Sequence, residues 1–185
     1  MKLFQTILIL ACAFLGVFAE GTLTVPRAWL GAQIDPLPAL MVYAALNGRL
    51  PAVALLAVCG GIWADTFSAN PLGISILPLL AVGFPIFSQR DLMMRDLPFA
   101  QFFLGAAAGA AVPAFTLLLL LSSGHKPVFG WGTLWQWLVM TLGSAVVTPF
   151  IFSLLDWAQR AFGYQERSAS HYRPDHEMRR GRILK

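Results

Sequence analysis

The chain predicts an all-α, polytopic transmembrane helix bundle of about six spans with both termini in the cytoplasm, and three observations carry that expectation. First, 57% of its 185 residues are hydrophobic, 12% are charged and the mean hydropathy is +0.67, too apolar for a water-soluble domain of this size. Second, long apolar runs separated by short polar breaks recur along the chain, and crossing ~30 Å of hydrocarbon takes about 20 such residues. Third, the 13 basic residues divide 11 to 2 in a six-span threading. Lys2, Arg49, Arg90, Arg95, Arg160, Arg167, Arg173, Arg179, Arg180, Arg182 and Lys185 fall on the side that the positive-inside rule makes cytoplasmic, and Arg27 and Lys126 on the other.

The first span covers residues 3–19. A basic Lys2, a long apolar run and Val17, Phe18, Ala19 before Glu20 also fit a cleaved secretory signal, an alternative that leaves the remaining orientation unchanged. The second span covers 29–46, with Asp35 and Pro36 as a helix start inside it, and Asn47, Gly48 and Arg49 form a turn. The third and fourth, 51–64 and 74–87, hold 14 residues each, or ~21 Å of helix. Such short helices either borrow snorkelling flanks such as Arg49 and Arg90 or dip without crossing. The fifth (97–121) and sixth (133–155) are long enough to cross unaided. Trp29, Trp63, Trp131 and Trp135 then lie at the outer interface and Trp157 at the inner one.

After the sixth span, Asp156, Trp157, Arg160, Ala161 and Tyr164 suit an amphipathic helix along the inner headgroups. The division is therefore a transmembrane domain over 1–160 and a basic cytoplasmic tail over 161–185. The tail lacks apolar periodicity and is expected to be disordered alone, drawn to anionic membrane lipids or docked on a cytoplasmic protein.

Several positions are candidates for structural or partner-contact roles. Gly105 and Gly109, flanking three alanines, make a small face that admits another backbone, first from within the bundle and second from a partner helix. Pro113 and Pro149 should kink their helices. Asp65 is an acid at the end of a span, where a carboxylate needs a partner. Ser68, Asn70, Pro71, Leu72 and Gly73 after it are turn chemistry, so a structural cap is the first reading.

No phosphate-cradling glycine loop, metal-ligand spacing or nucleophile with a base is present in the sequence. His125, His171 and His176 lie in loops or the tail, and Cys12 and Cys59 lie singly in apolar runs. We therefore expect no enzyme activity, no cofactor and no resident metal. The charge of +4 sits at helix ends and in the tail, a membrane-orienting pattern and not a nucleic-acid surface.

Gly61, Ile62, Trp63, Ala64, Asp65, then Pro71, Leu72, Gly73, together with Thr148 and Pro149 and the basic exit from Leu154 to Arg160, resemble the MreD family of small bacterial inner-membrane proteins. The resemblance covers most of residues 1–165; the longer tail and the alanine-rich fifth span depart from it. It implies a non-enzymatic scaffold of the rod-shape, cell-wall elongation system, working with MreC, the actin-like MreB, and the lateral-wall glycosyltransferase and transpeptidase. The family's similarity to substrate-binding membrane subunits of ECF-type vitamin transporters supplies the rival reading. That rival expects a cavity among spans three to six with Asp65, Asn70 and Trp131 at its mouth.

Overall fold

A computed structural model describes residues 2–22, 31–68, 71–90, 92, 97–124 and 130–163. Among the described residues six helices follow one another: α1 (Lys2–Thr22), α2 (Leu37–Asn47), α3 (Leu50–Phe67), α4 (Ile76–Ser88), α5 (Pro98–Ser122) and α6 (Trp131–Gly163). No strand occurs among the described residues, and the chain is a helical membrane bundle. Four helices, α1, α3, α5 and α6, are long and apolar enough to cross a bilayer.

Successive helices alternate in direction. The Gln5 side chain near the start of α1 donates to the Asn47 carbonyl at the end of α2 (3.1 Å), and Arg90 just past α4 donates to Gly48 (3.1 Å). Tyr43 in α2 reaches Asp156 near the end of α6 (3.0 Å), so the start of α1 and the end of α6 share one end of the bundle.

α2 lies at the centre, touching all five other helices, and residues 37 to 46 are all buried. Its sequence, LPALMVYAALN, is apolar around most of its circumference, which suits a helix with protein on every side. The lipid-facing helices instead show large apolar residues outward, among them Phe99, Phe103, Phe150 and Leu154.

The second and third spans differ from the sequence expectation, while α4 is as short as expected. The helix expected over 29–46 is realised only as the 11 residues of α2, and residues 31–36 are not helical. The third span is a full-length helix of 18 residues, while α4 has only 13. α2 and α4 begin at one height, because Leu37 packs on Gly60 and Ile76 on the adjacent Gly61 of α3. Both then run to the end marked by Gly48, roughly 16–20 Å at the helical rise. Each of these two passes is thus a half-height helix joined to non-helical backbone, which hydrocarbon tolerates only where protein supplies hydrogen-bond partners.

At the far end, α6 continues for 33 residues, so the amphipathic stretch expected to follow the sixth span is its last turns and not a separate helix. Residues 164–185, which hold most of the expected tail, lie outside the described residues, as does Asn70.

Candidate functional site

Four clusters of polar residues in the described bundle each have a structural task. The first is the α3–α4 hairpin. Asp65, in the last turn of α3, is only 2% exposed. Its Oδ2 accepts the backbone N–H groups of Gly73 (2.7 Å) and Ser75 (3.3 Å), and its Oδ1 accepts the Ser75 hydroxyl (2.5 Å). Ser75, the residue before α4, does not cap the helix with its own side chain, so Asp65 serves as the cap from across the hairpin. A carboxylate also suits the positive end of a helix dipole. Gly73 has φ +89°, a left-handed conformation that other residues adopt only with strain, and this turn presents its N–H to Asp65. Pro71 and Leu72 form the exposed tip, with Leu72 73% exposed.

The second place repeats that solution at the start of α2. Asp35 Oδ1 accepts the Leu37 N–H (2.8 Å), and residues 33–36 wedge between α1 and α6, with Pro36 on Gly16 and Ile34 on Gly143. The main chain of Gln33 is satisfied by one side chain in both directions: its N–H donates to Gln136 Oε1 (3.2 Å) and its carbonyl accepts from Gln136 Nε2 (3.1 Å). Two half-height helices therefore each begin under an aspartate. The sequence marks Asp35 only as a helix start; that it matches Asp65 depends on both helices beginning at the same depth.

The third place is the α5–α6 seam, the most extensive helix pair in the bundle. Gly105 lies against Thr148 and the Ser144 carbonyl, and Gly109 against Ser144. The small face of α5 is therefore filled by α6, not open to a partner. A Cβ at Gly109 would stand 2.5 Å from that of Ser144, which is why the backbones approach only with glycine there. Thr148 returns its hydroxyl to the Ser144 carbonyl (2.6 Å), one residue before Pro149, which removes the hydrogen bond to the carbonyl four residues back. Pro113 disturbs α5 in the same way, and the Trp137 indole donates to the Ala110 carbonyl beside that defect (2.9 Å).

The fourth place joins α2 to α6. The buried Tyr43 hydroxyl donates to Asp156 and accepts from Gln159 Nε2 (2.7 Å), while its ring meets Phe152 edge-on at 4.8 Å. Sequence reading placed Asp156 on a headgroup helix and missed Tyr43; its one signal was a tyrosine inside an otherwise apolar run.

A groove of about 580 Å³ opens between α1 and α6, lined by Cys12, Gly16, Ala19, Leu40, Phe150 and Leu154 among others, with Glu20 and Gln33 as its polar residues. Asp65 is sealed in its hairpin away from this groove, and Trp131 is 84% exposed at the start of α6. Among the described residues no group of three or more His, Cys, Asp or Glu side chains could hold a metal ion. No family model, curated protein or solved structure matches the chain.

Proposed function

We propose that this chain is a non-enzymatic membrane scaffold of the kind its likeness to the MreD family implies. In that role it sits in the bacterial inner membrane with both termini in the cytoplasm and holds MreC, MreB and the lateral-wall glycosyltransferase and transpeptidase together. The observation that carries the reading is the hairpin of Asp65, Gly73 and Ser75. Of the residues that bear the resemblance, Asp65 and Gly73 are joined with Ser75 in a hydrogen-bonded fastening between α3 and α4, with the Asp65 side chain buried. It is supported by the other polar clusters, where Asp35, Gln136, Tyr43 and Asp156 hold helices to one another.

With the α5 small face taken up by α6, the partner surface falls to the outward faces of α1, α5 and α6 and to the loops. Photo-crosslinkers at exposed positions such as Phe103 or Leu118 of α5, in native membranes, should capture wall-synthesis proteins, and deletion should round the cells. Normal shape after deletion with no wall-synthesis partner captured would dispose of the proposal.

The rival, a substrate-binding subunit of a vitamin transporter, has one observation in its favour, the groove, whose volume falls within the ~300–1,000 Å³ usual for small-molecule sites. Against it, the groove is almost wholly apolar, and a polar vitamin needs several converging donors and acceptors. A vitamin that raised the melting temperature of the detergent-solubilised chain would reverse the choice.

A further inference from the structure

The geometry points to the groove between α1 and α6 as a binding site for an aminophospholipid, one acyl chain lying along the groove and the ammonium headgroup meeting the Glu20 carboxylate. The groove combines a long apolar wall with polarity at Glu20 and Gln33 alone, the pattern of an amphiphile site. Glu20 is two residues from the end of α1, ~3 Å along the helix axis, so a head placed there reaches the interface while its tail points inward.

Charge selects the head. Among the described residues nothing donates a hydrogen bond to the Glu20 carboxylate, and Asp35 stands within Coulombic reach of it. Gln33 does not relieve the pair, since its side-chain amide donates to the Glu20 main-chain carbonyl (3.2 Å). A carboxyl at the mouth of an apolar groove favours an ammonium head over a purely anionic one.

The α1 wall from Cys12 to Glu20 is ~12 Å long, and the groove of about 580 Å³ has room for a single acyl chain along it. The site is independent of the scaffold role and stands or falls separately from it.

The test is native mass spectrometry of the full-length chain in detergent, given phosphatidylethanolamine and phosphatidylglycerol with identical acyl chains at equal concentration. The wild type should retain the ethanolamine lipid at least about fivefold better. Glu20→Gln, which keeps the shape, should reduce that preference to near parity, and Ala19→Phe, which narrows the groove, should weaken adducts of both lipids. Equal retention of the two lipids by the wild type, or a preference that survives Glu20→Gln, would overturn the assignment. So would a single-span protein that co-purifies with the wild type, is lost with Ala19→Phe and is not displaced by added ethanolamine lipid, since the groove would then hold a helix. If Ala19→Phe does not fold, the Glu20→Gln comparison decides alone.

Discussion

Replacing Asp65 with alanine tests the fastening between α3 and α4 most directly. The side chain is 2% exposed and accepts three hydrogen bonds, from Gly73 N–H, Ser75 N–H and the Ser75 hydroxyl. Each donor left unsatisfied in a buried setting costs ~1–3 kcal/mol. The Ser75 hydroxyl can rotate to another acceptor, whereas the two N–H groups are fixed by the turn. Their desolvation and the lost helix cap together amount to about 3–5 kcal/mol. For a chain of this length each kcal/mol moves the melting temperature by ~2–4 °C, so a fall of about 6–20 °C is expected. Asp65→Asn keeps one acceptor oxygen and should lose roughly half as much. Adding Ser75→Ala to Asp65→Ala should cost little more, because the two residues share a bond and their effects cannot add. The assay is thermal unfolding of the detergent-purified chain, followed by the monodisperse fraction remaining after heating. An Asp65→Ala variant melting within ~2 °C of the wild type would show that the hairpin does not depend on this carboxylate.

Three further perturbations probe the other contacts. Gly109→Ala drives a methyl into Ser144 and should destabilise the α5–α6 seam by about 1–3 kcal/mol, with Ser144→Gly in the same chain restoring part of the loss in the same melting assay. Tyr43→Phe retains the edge-on contact with Phe152 but removes the hydroxyl between Asp156 and Gln159, for a loss of about 1–2 kcal/mol. A double-mutant cycle with Asp156→Asn should show coupling; strict additivity would mean that the two groups do not interact. Gln136→Leu strips both hydrogen bonds from the Gln33 main chain, so amide exchange at residue 33 should quicken while that in the middle of α3 stays unchanged.

Much of the fold was legible in the chain because hydrocarbon imposes it. A crossing needs a long apolar run with its backbone bonded internally, so the helices built on residues 3–19, 97–121 and 133–155 were visible from composition and length alone. The turn chemistry at Asp65, Pro71 and Gly73 marked a hairpin for the same reason, since Gly73 must adopt a left-handed φ. The partners of Asp65 were not legible, because its donors lie eight and ten residues away in a turn whose shape local spacing does not specify.

The second crossing failed as a continuous helix on similar grounds. Residues 31–36 carry Gln33, Asp35 and Pro36, which in isolation read as a cap; the arrival of Gln136 from more than a hundred residues away helps make non-helical backbone tolerable inside the bundle. What the sequence alone determined was how many apolar helices there are and that a turn follows Asp65, since both follow from local chemistry. Tertiary structure decided which polar groups meet, which helix is central and where the groove opens. Those depend on helices that are equally apolar finding one another by shape and by a few buried hydrogen bonds, and hydropathy does not encode that choice.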